Sequence, residues 1–236
     1  VLDVLISIVL FGIAIVMFAG AGATFNQMYN MEPSFGSMLM TLAVVFTLLL
    51  NANSIINMIA ALMPYLLGVI FILLIYSLFT VDYSISELNI IAKKQPSASS
   101  HWLTSAVLYV SYNIAAGAAM LILMGGTTKD RKAARMGGAL GGGVLGLLIL
   151  LINLALFAKM DIVAGVDMPT LELAKQIHPT VGNIMSIVLL AMIYSTAVGT
   201  LYILAVRIVK KENLMMKTNV ILLCLVGFAA SIIGFI

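Results

Sequence analysis

PSFGSMLMTLAVVFTLLLNANSIINMIAALMPYLLGVIFILLIYSLFTV, running from Pro33 to Val81, contains no Asp, Glu, Lys or Arg. A soluble domain covers its core with a charged surface, about 25% of its residues, and this stretch has nothing to build one from. A helix needs roughly 20 apolar residues to cross the bilayer core, so the stretch is long enough for two spans. The polar turn Asn51-Ala52-Asn53 divides them. The rest of the chain agrees: of 236 residues, 63% are hydrophobic and 9% charged, and the mean hydropathy is +1.18. The chain reads as an all-α polytopic transmembrane helical bundle, a single integral membrane domain over residues 1–236 with the lipid bilayer as its solvent.

Seven spans are expected at about 3–24, 35–50, 54–79, 101–124, 136–158, 181–207 and 218–236, by apolar length alone. Pro64, with Gly68 one turn later, should kink the third. Two connections read as short surface helices. Ser84-Ile85-Ser86-Glu87 is a capping-box pattern, followed by Ile85, Leu88 and Ile91 on one face. Asp167-Met168-Pro169 opens the other, with Leu171, Ala174 and Ile177 apolar and Glu172, Lys175 and Gln176 polar. The chain enters an apolar run within four residues of Val1 and is still apolar at Ile236, which reads as the interior part of a longer protein.

The bases set the orientation. The connection 125–135 carries Lys129, Arg131, Lys132 and Arg135 against Asp130, and 207–217 carries Arg207, Lys210, Lys211 and Lys217 against Glu212. Two spans separate these connections, so both lie on one side. The opposite loops hold Lys93, Lys94, Lys159 and Lys175 against six acids. Basic loops stay cytoplasmic, so in this multi-pass reading the first span starts inside and the last one leaves the cytoplasm. The same loops account for the net charge of +3, so no nucleic-acid partner is expected. The single Cys224 lies in an apolar run and excludes a disulfide framework or a cysteine metal site.

Polar groups inside hydrocarbon are costly and face the bundle interior or a water-filled cavity. The fourth span has the densest set: Ser105, Tyr109, Ser111, Tyr112 and Asn113, followed by Ala115-Ala116-Gly117. Ser105, Tyr109 and Tyr112 share a face. The set suits a ligand-lining segment, interrupted near Ser111–Ala116, or else an interhelical hydrogen-bonding seam worth about 0.6 kcal/mol per contact. The sixth span holds Tyr194-Ser195-Thr196-Ala197-Val198-Gly199-Thr200-Leu201-Tyr202. Its hydroxyls and carbonyls are hard ligands suited to Na⁺, although Ser and Thr routinely bond back to their own helix. Gly20-Ala21-Gly22-Ala23-Thr24 in the first span lets another backbone or a ligand approach closely. Gly138, Gly142 and Gly146 in the fifth have the small-xxx-small spacing of close helix packing. No Gly-x-x-x-x-Gly-Lys-Ser/Thr occurs, so phosphate binding by that glycine run is not expected. Asn153, further along the same span, is expected to be a buried polar residue.

Catalytic constellations are sparse. Of the histidines, His101 stands at the mouth of the fourth span and His178 in a loop before Pro179, and neither His-Glu-x-x-His nor Gly-x-Ser-x-Gly occurs. Lys217 stands at the entrance of the last span, where it cannot serve as a retinal Schiff base. Enzyme chemistry is disfavoured, and no cofactor is expected beyond Na⁺ as a coupling ion.

Ser105-Ala106-Val107-Leu108-Tyr109-Val110-Ser111-Tyr112-Asn113 resembles a segment of the YkvI family of bacterial membrane proteins. Phe18-Ala19-Gly20-Ala21-Gly22-Ala23-Thr24-Phe25 and Tyr194–Tyr202 resemble two further segments, in the same order. That family looks like a branch of the amino acid/polyamine/organocation superfamily, with the LeuT-type fold of two inverted repeats and a midplane site beside broken helices. The resemblance implies that the seven spans are helices three to nine, without the first, second and tenth. It makes the fourth span the broken sixth helix, with Tyr109, Ser111, Tyr112 and Asn113 at the substrate site. It also makes Ser195 and Thr196 candidates for the sodium-holding pair of the eighth helix, and the loop helix near 169–177 the extracellular lid. The implied function is cation-coupled secondary transport of a small organic solute, amino acid-like in character. The alternative is a non-transporting assembly or sensory subunit, with a polytopic membrane enzyme third.

Overall fold

The computed structural model describes residues 2–49, 52–81, 83–97, 99–127, 130–208 and 214–233. They form α1 (Leu2–Tyr29), α2 (Pro33–Leu48), α3 (Ala52–Phe79), α4 (Ile85–Lys93), α5 (Trp102–Thr127), α6 (Arg131–Ala158), α7 (Met160–Val163), α8 (Pro169–Ile177), α9 (Pro179–Ile208) and α10 (Leu214–Ile233). The expected turn at Asn51, the basic positions Lys129, Lys210 and Lys211, and the acid Glu212 lie outside the described residues. Every described element is helical. Among the described residues three helices are long and apolar enough to cross a membrane: Val4–Tyr29, Arg131–Ala158 and Pro179–Ile208. Pro33–Leu48, Leu67–Phe79 and Thr218–Ile233 are shorter apolar helical stretches.

The chain groups into two compact units. The first comprises Val1–Met63, Tyr109–Met120 and Ser186–Ile236. In it α1, α2 and α10 pack on one another. Leu10, Ala14, Phe18 and Ala21 recur at helical spacing along α1 and are fully buried. Val44 of α2 and Val220 and Cys224 of α10 are buried with them. Lipid tails are as apolar as Leu, so these helices gain little from hiding hydrocarbon; they are held by close packing and interhelical hydrogen bonds. The crossing of α1 and α2 shows both. A Cβ on Gly22 would lie 2.5 Å from the Pro33 carbonyl oxygen, and one on Gly36 2.8 Å from the Phe25 ring. The buried Ser37 Oγ donates to the Phe18 carbonyl at 2.8 Å. Gly20-Ala21-Gly22 therefore admits a backbone, one of the two occupants its small residues allow. Pro33 opens α2 where its missing N–H costs nothing. Asn30, at φ 52°, makes the turn that reverses the chain.

The second unit comprises Pro64–Leu108 and Leu121–Met185. Here α6, α7 and α8 pack together, with α4 against α6 and α7. Leu171, Leu173 and Ala174 of α8 are fully buried, with Leu88 of α4 nearly so. The expected capping box is formed: the Ser84 N–H donates to Glu87 Oε2 at 2.9 Å and the Glu87 N–H to Ser84 Oγ at 3.4 Å. The apolar face expected on α4 is only partly used, since Leu88 is buried while Ile85 is 78% exposed. Lys159, at the end of α6, is buried. Its Nζ donates to the Thr80 carbonyl at the end of α3 and lies 6.0 Å from the Tyr76 ring centre.

Two expectations fail. The fourth span is not interrupted near Ser111–Ala116: α5 runs as α-helix from Trp102 to Thr127. Asn113 needs no unwound backbone, because its Nδ2 donates to the Tyr109 carbonyl one turn back at 2.8 Å. Alanine is also the best helix former, so Ala115-Ala116 carries the helix through. The glycines of α6 do not make close packing either. A Cβ on Gly138, Gly142 or Gly146 would meet nothing within 4 Å, and 131–147 are exposed throughout. Helix spacing identified a surface able to pack, and no described helix takes it.

Candidate functional site

Helical geometry places residues 100° apart, so Ser105, Tyr109 and Tyr112 form one stripe of α5. Leu103, Val107, Val110 and Ile114 form the opposite one. The apolar stripe is exposed, as expected of a lipid-facing surface. The polar stripe is also uncovered: Tyr109 is 52% and Tyr112 46% exposed, Asn113 is exposed beside them, and Ser111, also exposed, lies on the flank nearer Val107. The four proposed substrate residues thus stand together on one helix, about midway along its 26 residues. Only Asn113 has its hydrogen-bond partner fixed within that set.

Ser195 and Thr196 are adjacent on α9 and differ in surroundings. Ser195 is buried, and its Oγ donates to the Met192 carbonyl at 2.9 Å. Thr196 is exposed. Thr200 Oγ1 donates to the carbonyls of Thr196 at 2.8 Å and Ala197 at 3.1 Å. These are back-bonds to the same helix, which leave lone pairs on each hydroxyl. Among the described residues no group of three His, Cys, Asp or Glu side chains is placed to hold a metal ion.

The polar residues that do bridge helices lie elsewhere. Tyr194 of α9 hydrogen-bonds Thr47 of α2 through their hydroxyls. Tyr29 of α1 meets Ser186 of α9 at 3.3 Å. Each pair joins positions about 150 apart in the chain, and no local pattern links one partner to the other. In the second unit Asn153 is exposed rather than interior. With Gln95, Asp167 and the Gly165 backbone it lines an open cavity of about 530 Å³.

Long apolar helices with these polar seams place the chain among helical membrane proteins. It is similar to the Bacillus subtilis (strain 168) protein described as "Uncharacterized membrane protein YkvI", with 24% identity over 204 residues, 86% of this chain. The chain spans about half the length of that curated relative, 56%. No family model and no solved structure matches it.

Proposed function

We propose that the chain is the central section of a multi-pass transporter of the bacterial inner membrane. It moves a small organic solute, amino acid-like in character, with a cation by alternating access. In this reading α1, α2, α3, α5, α6, α9 and α10 are seven spans corresponding to helices three to nine of a LeuT-type fold. The helices α4 and α8 lie on the surface. The observation that carries the proposal is the uncovered polar stripe of α5. Tyr and Asn side chains halfway through a span face a bundle interior or a water-filled cavity, not lipid. Tyr109, Ser111, Tyr112 and Asn113 then line the solute path, and Ser195 and Thr196 offer hydroxyl oxygens to Na⁺.

Thiol labelling of the full-length protein tests this in a Cys224→Ala background. Cysteines at Ser111 and Asn113 should react with a small membrane-impermeant reagent, and cysteines at Val107 and Ile114 should not. Silence at all four positions removes the aqueous path. It would leave the second reading, a non-transporting assembly or sensory subunit. The unbroken α5 and the back-bonded Asn113, Ser195 and Thr200 favour that reading.

A further inference from the structure

The start of α6 combines charge, space and an apolar surface in a way the transport proposal does not use. Arg131, Lys132 and Arg135 fall at i, i+1 and i+4, and all three are exposed. With Met136 and Ala139 they line an open cavity of about 790 Å³. Asp130, the adjacent acid, is the N-cap, and its Oδ1 accepts from the Lys132 N–H at 2.8 Å. Among the described residues none of the three bases forms an ion pair. Beyond Ala139 the same side of the helix continues through Gly142, Gly143 and Gly146, where an added Cβ would meet nothing within 4 Å. Exposed Met136, Leu140, Val144 and Leu147 flank this smooth strip.

The geometry points to a binding site for one anionic phospholipid, its phosphate held by Arg131, Lys132 and Arg135 and an acyl chain laid along Ala139, Gly142 and Gly146. Arginine engages phosphate through a planar fork of donors, and two arginines one turn apart on a helix can grip the same headgroup. Basic positions flanking a span attract anionic lipid wherever they meet the membrane surface. Here the helix surface just below them is apolar, unoccupied and flat enough to take a chain. A soluble phosphate would use the charges and leave the strip bare, so the occupant that matches both is a lipid. The inference needs only that α6 lies in the bilayer, and it stands apart from solute transport, which labelling at Ser111 and Asn113 reads separately.

Native mass spectrometry of the purified, delipidated full-length protein tests it, with dioleoyl phosphatidylglycerol and dioleoyl phosphatidylcholine offered at equal concentration. The wild type should retain the first about tenfold better. The triple variant Arg131→Gln, Lys132→Gln, Arg135→Gln should lose that preference, while Lys93→Gln, Lys94→Gln keeps it. The charge-conserving pair Arg131→Lys, Arg135→Lys should retain most of it. This pair, with circular dichroism of each variant, separates loss of the site from loss of the fold. Equal retention of both lipids by the wild type overturns the proposal, as does an undiminished preference in a folded triple variant. Displacement of the bound lipid by inorganic phosphate alone would show a free-anion site instead. A lipid-free dimer broken by Ala139→Trp would show that a second copy covers the strip.

Discussion

At Gly22 the distance to the Pro33 carbonyl leaves no room for any side chain, and the obstacle is backbone that cannot swing aside. Gly142 has the same chemistry and open space around it. Gly22→Val should therefore lower the melting temperature sharply, with an overpacking cost at or above about 3 kcal/mol, while Gly142→Val leaves it nearly unchanged. A thermal melt of both in the same detergent decides, and equal losses would contradict the α1–α2 crossing. The hydroxyls of α9 pose a finer question at this scale. If Ser195 and Thr196 hold Na⁺, bound ion adds about 2.7 kcal/mol at a hundredfold excess over Kd. Sodium, but not potassium, should then raise the melting temperature of the full-length protein. Thr196→Val keeps the volume, removes the oxygen and should abolish the increment. A sodium response surviving in both Thr196→Val and Ser195→Ala would place the ion elsewhere.

Among the elements, α4 shows how a local signal becomes a titratable one. The Ser84 hydroxyl, then its backbone N–H, donates to the Glu87 carboxylate and holds its pKa below the ordinary value of 4.5. A carboxylate with a lowered folded pKa contributes stability that is complete above its unfolded value and is lost as pH falls through the folded one. Protection of the Ser84 amide, its exchange rate measured against the intrinsic rate at each pH, should thus be constant at neutral pH and fall only below about pH 4.5, and Ser84→Ala should lower it throughout. This capping box was legible because its partners are three residues apart. The start of α8 at Pro169 was legible for another local reason, since Pro suits the first position of a helix. The break expected in α5 was not there, because a cluster of polar residues in a row records what a helix face must meet and says nothing about its backbone. The Tyr194–Thr47 and Tyr29–Ser186 pairs were illegible for the opposite reason. Each hydroxyl alone is compatible with a back-bond, and only the packing of α9 with α1 and α2 selects the partner.

For the whole molecule, sidedness follows from where the bases lie, independently of any particular side-chain contact. Arg131, Lys132 and Arg135 stand at the start of α6, and Arg207 lies in the last turn of α9. Two long helices, separated only by the short helices α7 and α8, would bring the chain back to the side from which α6 began. If α6 and α9 both cross the bilayer, the connections around 128 and 213 share one face. If α5 crosses as well, the loop at Ser97 lies on the other. Basic connections remain in the cytoplasm, which fixes which face is which. In a Cys224→Ala background, cysteines at Thr128 and Asn213 should be labelled only when the cytoplasmic side is opened, and one at Ser97 in intact cells. Labelling of Ser97 and Thr128 from the same side would mean that α5 does not cross. The seven-span assignment and the solute path along Tyr109 and Tyr112 would then fall together, whereas the lipid site on α6 would remain open to its own test.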